Sequence, residues 1–203
     1  KLTAPLDEEL TYRLVVTKND GSEITAETEI CEDFELTRPI DISTTLQFKS
    51  GSGTSLRWNG KSNAKFFNLK LLIHIKEAPA NNPTNFQTKT LVWEIPDYVT
   101  PNENGLAQSI IQGENFYEFI ASKLETGYVR ELEGISIKVG AGAEDLLKYL
   151  EIGQVNAGIT GADVIPIYTN LSGDSYGVFS SRYYKTFGSY GVNAVTEDSL
   201  SNG

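Results

Sequence analysis

The stretch from Leu69 to Lys76 constrains this chain more than any other. Leu69, Leu71, Ile73 and Ile75 alternate with Lys70, Leu72, His74 and Lys76. That period of two predicts a strand with one apolar face turned inward and a mostly polar face turned outward. The Pro- and Asn-rich run Ala78–Asn85 reads as the loop at a hairpin tip. A return strand over Lys89–Ile95 then turns Leu91, Trp93 and Ile95 inward. Before the long strand, Leu46 and Phe48 mark one strand and Leu56 and Trp58 the next, punctuated by Gly51, Gly53, Asn59 and Gly60.

Upstream, Tyr12, Leu14 and Val16 alternate, Asn19-Asp20-Gly21 supplies a turn, and Ile24, Ala26, Thr28 and Ile30 alternate again. Asp-Gly between such runs predicts a β-hairpin over residues 12–30, because Gly accepts the positive φ these turns demand. Residues 31–43, with Pro39 near the centre, read as a linker. Downstream, Phe116, Phe119, Ile120 and Leu124 fall on one helical stripe over Asn115–Leu124, with Gly127 as its C-terminal cap. Ile135, Ile137 and Val139 predict a strand, and a short helix is expected over Ala143–Leu150, closed by Gly153. Strands are expected again at Ile165–Thr169, Tyr176–Arg182 and Val192–Thr196.

The fold class expected is mainly β: a β-sandwich-like body with two short helices inserted in the C-terminal half, rather than a parallel βαβ sheet. The expected division is a hairpin segment at 1–40 and a sandwich-like domain at 41–203. With 39% hydrophobic and 22% charged residues the chain is globular in composition. Abundant Tyr, Phe, Thr and Gly favour strands and turns.

Charge narrows the partners. Seventeen basic against 27 acidic side chains leave a net charge of −10, which repels nucleic-acid phosphates and anionic lipid surfaces. No apolar run reaches the ~18 residues a membrane span needs. The chain has no Met, even at position 1, so the expectation is a start after processing or a piece of something longer.

Catalytic chemistry finds little material. His74 is the sole histidine and reads as an exposed strand residue. Cys31 is the sole cysteine, which forbids an internal disulfide. It reads as a small strand residue, its thiolate disfavoured by Glu29, Glu32 and Asp33. One His and one Cys make no zinc constellation, and no Gly-x-Ser-x-Gly elbow occurs. Gly140-Ala141-Gly142-Ala143 faintly resembles a phosphate-cradling loop. It lacks a P-loop lysine, and Glu144 and Asp145 satisfy the following helix dipole themselves. Asp163, Asn170 and Asp174 offer oxygen ligands for calcium without the required spacing, so no metal and no cofactor is assigned. The 27 acids single out no carboxylate pair for glycoside hydrolysis. Asn170-Leu171-Ser172 fits the N-glycosylation pattern.

The C-terminal aromatics carry the binding hypothesis. Tyr176, Phe179, Arg182, Tyr183, Tyr184 and Tyr190 crowd together among glycines, and Tyr and Arg favour binding surfaces. The competing reading is that these aromatics pack inward as core.

The order of segments resembles a family of uncharacterised Bacteroidota cell-envelope lipoproteins, a domain of unknown function. The likeness is carried by Tyr12–Val16 with Asp20-Gly21 and Ala26–Thr28, Trp58-Asn59 with Asn63–Phe67, Phe116-Tyr117 with Phe119-Ile120, and Tyr168–Leu171 leading to Gly177–Arg182. It covers most of the chain, and the closing segment is its most specific part. The resemblance implies an immunoglobulin- or fibronectin-III-like sandwich. It also implies export to the outer membrane, the cell surface or the periplasmic face, and a lipid anchor outside this chain. The implied partner is an outer-membrane β-barrel of the TonB-dependent receptor type, and Asp198-Ser199-Leu200 matches an O-glycosylation site at Ser199. The family's extra N-terminal β segment and lipidated Cys have no counterpart here, which fits a truncated or shorter relative. The expected function is non-catalytic docking on such an outer-membrane complex; the alternative is a glycan- or small-ligand-binding sandwich.

Overall fold

The computed structural model describes residues 6–60, 63–158 and 167–201. Strands β1 (Thr11–Thr17) and β2 (Glu23–Glu29) form the expected hairpin. Its turn closes with the Ser22 carbonyl accepting from Lys18 N–H at 2.8 Å, and Gly21 takes φ +83°. The hairpin is tied to the body at Thr25, which exchanges bonds of 2.8 Å with the backbone and hydroxyl of Ser172.

The body is a mainly-β, sandwich-like fold. One sheet holds β3 (Glu35–Arg38), β4 (Gly53–Asn59) and β7 (Leu106–Gln112) in the order β3-β4-β7. The other holds β5 (Phe66–Pro79), β6 (Gln87–Glu94), β8 (Tyr128–Gly142) and β9 (Arg182–Tyr190) in the order β6-β5-β8-β9. Every paired strand in both sheets is antiparallel. Alternation decides what lies between the sheets. Leu56, Trp58, Ala107 and Ile111 from one meet Leu69, Leu71, Ile73, Ile135, Ile137 and Val139 from the other in one buried cluster. Each large side chain contributes about 1.5–3 kcal/mol by leaving water. The Trp58 and Phe67 rings meet edge-on across the gap, centroids 5.7 Å apart.

Among the described residues, three helices close the flanks. In α1 (Gly113–Lys123), Phe116 stacks on Phe48 at 3.9 Å and Phe119 on Trp93 at 5.2 Å. The Tyr117 hydroxyl donates to the Phe48 carbonyl at 2.6 Å. Gly113 opens this helix because a Cβ there would lie 2.2 Å from the Lys49 carbonyl oxygen. The second helix, α2, spans Glu144–Gly158 and the third, α3, Ala194–Ser201. The Asn193 side chain caps α3 by accepting from Thr196 N–H at 3.1 Å, and Thr196 Oγ1 in turn accepts from Phe48 N–H at 2.9 Å. Two helices were expected, and α3 is the third.

Several expectations need correction. The linker over 31–43 contains β3, too short and too polar to announce itself by period, which pairs with β4. Cys31 is buried just after β2, not in a strand. Of the strand expected at Leu46 and Phe48, only a bridge from Leu46 to Val192 forms, and Phe48 is core without being strand. The strand β7 was not anticipated. Gly140–Gly142 is the end of β8 rather than a loop, and α2 runs through Gly153. Gly127 has φ +85° but lies three residues past the C-cap Leu124, in the turn before β8.

At the C-terminus, residues 167–169 and 176–181 are irregular, while 165 and 166 lie outside the described residues. The strand there is β9, whose aromatics on both faces hide its period of two. Val192 makes only the bridge, because the Asn193 cap starts α3 immediately after it.

Candidate functional site

The side of the four-stranded sheet turned away from the core carries the site. Register places Arg182 opposite Gly142, Tyr184 opposite Gly140 and Thr186 opposite Lys138 on β8 and β9, with Phe66, Asn68 and Lys70 next across on β5. Two glycines make the surface possible. A Cβ on Gly140 would lie 2.5 Å from the Tyr184 ring, and one on Gly142 only 2.1 Å from the Phe66 ring. Both rings therefore lie across bare β8 backbone, which is the use of glycine inside a strand where something approaches closely.

Arg182 sits between these rings, its guanidinium carbon 5.0 Å from the Tyr184 centroid and 5.9 Å from that of Phe66. Its Nη2 donates to Asn68 Oδ1 at 3.1 Å. Lys138 Nζ lies 5.4 Å from the Tyr184 centroid. Each such cation–π contact is worth about 0.5–1 kcal/mol at an exposed site. Phe66 is buried, with Tyr98 edge-on at 5.6 Å, whereas Tyr184 remains 46% exposed. Among the described residues, neither Arg182 nor Lys138 makes an ion pair with a carboxylate. The result is a flat aromatic and cationic platform on an acidic protein.

The candidate binding residues divide among three settings. Arg182 and Tyr184 share the platform. Tyr183 and Tyr190 point the other way: Tyr190 is buried in the core, and Tyr183 packs edge-on against Phe34 at 5.8 Å. Burial pushes both phenols above their ordinary pKa, with the negative charge of Asp33 adding to the effect at Tyr183 and that of Asp41 at Tyr190. Beside Tyr183, Lys185 Nζ reaches Asp33 at 2.9 Å and Glu35 at 3.0 Å, and its hydrogen bond holds the Asp33 carboxyl below its usual range.

Phe179 and Tyr176 belong to the segment before β9. Asn170 accepts from Phe179 N–H at 2.9 Å and donates to the Phe179 carbonyl at 2.7 Å, closing that segment as a strand partner would. Its amide also donates to Asp145 at 2.9 Å, and Tyr168 donates to the same carboxylate. Burial first, then the Asp145 hydrogen bond and charge, push Tyr168 to about 12. Tyr176 is 73% exposed and stands in the irregular run before β9 rather than on the sheet. Ser199 falls in α3.

The remaining chemical candidates are also placed. His74 lies on the polar face of β5, half-buried rather than exposed, with Nδ1 3.1 Å from Thr90 Oγ1 and Nε2 2.9 Å from Ser136 Oγ. Burial pushes the Cys31 thiol up; the flanking carboxylates are not the cause. Among the calcium candidates, the Asn170 side chain is occupied as described, Asp174 is exposed, and Asp163 lies outside the described residues. No cluster of three or more His, Cys, Asp or Glu suited to a metal exists among the described residues. The Asn170 amide nitrogen, where an N-glycan would attach, is engaged by two acceptors.

Asn68 and Lys138 were not singled out from the sequence, Phe66 entered only within the Asn63–Phe67 motif, and Gly140 and Gly142 only as a loop. The alternate glycines at 140 and 142 were the available signal, once understood as a strand. Comparison with family models and with curated proteins finds no match to either. Among the described residues no helix is long and apolar enough to cross a membrane.

Proposed function

We propose that this chain is a non-catalytic binding domain of the cell envelope that docks on a protein partner through the Arg182–Tyr184 platform. The observation that carries the reading is Arg182 itself, its guanidinium carbon 5.9 Å from the Phe66 centroid and 5.0 Å from that of Tyr184, with no carboxylate paired to it among the described residues. Arg and Tyr on a rigid sheet form the anchor that protein interfaces favour, since little side-chain freedom remains to be lost on docking. The family likeness supplies the partner class, an outer-membrane β-barrel of the TonB-dependent receptor type. In that reading the domain is a lipoprotein held at the outer membrane by an anchor outside this chain, and Ser199 carries an O-glycan. Co-purification of the native protein from its own membranes tests this. A barrel should accompany the wild type and the Tyr176→Ala variant and be lost from Arg182→Ala. Recovery of the wild type without any barrel overturns the reading.

A second reading rests on the exposed ring of Tyr184 beside the polar groups of Arg182 and Asn68, which suits a sugar ring stacked on an aromatic. Binding on a glycan array that disappears in Tyr184→Ala would favour it over protein docking.

A further inference from the structure

The opposite sheet carries a different charge anomaly. Along β3 and β4 the register runs Glu35 to Asn59 and Leu36 to Trp58, then shifts so that Arg38 stands opposite Arg57. Arg57 lies between Leu56 and Trp58, whose side chains are buried, so it points away from the core. Directly opposed strand residues have Cβ atoms about 4.5–5.5 Å apart, and like charges there are destabilising. Guanidinium groups cannot relieve this by losing a proton.

Nothing among the described residues offsets the pair. Neither arginine makes an ion pair, although Arg13 reaches Glu27 at 3.9 Å and Arg130 reaches Glu77 at 2.9 Å. Arg57 Nε donates to the neutral Gln108 Oε1 at 2.7 Å, a bond that holds the group without offsetting its charge. The carboxylate of Glu35 on the same strand is bound to Lys185. With 27 acidic side chains in the sequence, a cross-strand arginine pair left without one is unusual. Bulges of this kind re-aim side chains beside functional sites.

Both arginines line a cleft of about 620 Å3 whose other walls include Pro39, Ile40 and Leu106. That lies within the roughly 300–1,000 Å3 typical of small-ligand pockets. Ile40 is 82% exposed, so a large apolar side chain of the cleft stands in water. We propose that this cleft binds a small organic anion, a single carboxylate bridging Arg38 and Arg57 with a short aliphatic body against Pro39, Ile40 and Leu106. The fork of each guanidinium matches a carboxylate in bidentate fashion. The net charge of −10 disfavours polyanions, which leaves a monoanion as the fitting charge. This site goes beyond the docking reading and does not depend on it.

Hexanoate is a suitable probe, followed by calorimetry and by the arginine Nε–H resonances of the full chain. Hexanoate should shift the Arg57 and Arg38 signals, whereas hexanol, lacking the charge, and acetate, lacking the chain, should bind at least about tenfold more weakly. Arg38→Gln and Arg57→Gln should each lower hexanoate affinity by roughly tenfold. Arg38→Gln removes a repulsion and should not melt below the wild type, whereas Arg57→Gln also gives up the hydrogen bond to Gln108. Hexanoate binding undiminished in both variants overturns the proposal, as does a full titration that moves neither arginine signal. Inorganic phosphate binding as well as hexanoate overturns the aliphatic half and leaves a simple anion site.

Discussion

Replacing Gly142 by Ala adds one methyl group at the point where β8 passes under Phe66. The backbone there is not in the left-handed region, so only packing opposes the change. The new Cβ would lie 2.1 Å from one Phe66 ring carbon and 2.4 Å from another, and the ring is buried, with Tyr98 and Arg182 against it. Overpacking of this kind costs about 1–3 kcal/mol, and a stiffer unfolded chain returns roughly 0.4–1 kcal/mol. The expected net loss is about 1–2 kcal/mol, which lowers Tm by roughly 2–8 °C for a chain of this size. Gly153→Ala is the internal control. It lies within α2 with nothing inside 4 Å of its Cβ position, so it should gain about 0.5–1 kcal/mol. Urea unfolding of the two variants side by side reads both signs. A Gly142→Ala protein as stable as the wild type would show that Phe66 does not lie across β8, and the platform would lose its floor.

Two further outcomes follow from weak acids that the fold keeps protonated. Cys31 is enclosed and its thiol pushed up by burial, so a neutral-pH thiol reagent should label it only in the presence of denaturant; fast labelling of the native protein refutes the buried placement. Tyr168 is raised from 10.0 to about 12, so the native state keeps a proton that the unfolded chain releases first. Its contribution is therefore fully present below pH 10.0 and is lost as the pH rises towards about 12. Urea midpoints measured across that window should fall less steeply in Tyr168→Phe, and parallel curves would remove Tyr168 from the account.

Much of the fold was legible because it repeats locally. The Leu69–Ile75 alternation, the Asp20-Gly21 turn and the Phe116 stripe each announce an element within a few residues, since side-chain period and positive φ are properties of the local chain. Elements held by distant partners were not legible. Polar Glu35–Arg38 becomes strand only because Asn59, Trp58 and Arg57 offer it an edge, and Phe48 is core because α1 and Thr196 come to it.

The same divide separates the candidate sites from the sequence. Arg182 and Tyr184 could be named from their neighbourhood, but a cluster in sequence cannot say which residues share a face, and Tyr183 and Tyr190 turned inward. Phe66, Asn68 and Lys138 joined Arg182 only through the register of β5, β8 and β9. Arg38 met Arg57 only through a one-residue shift in pairing. The sequence by itself determined the charge, the hairpin and the strands that alternate most clearly, because those reside in residue type and short-range period. Which charges are left without partners was decided by the tertiary structure, because a side chain's partner is set by strand register, and register is a property of two segments far apart in the chain.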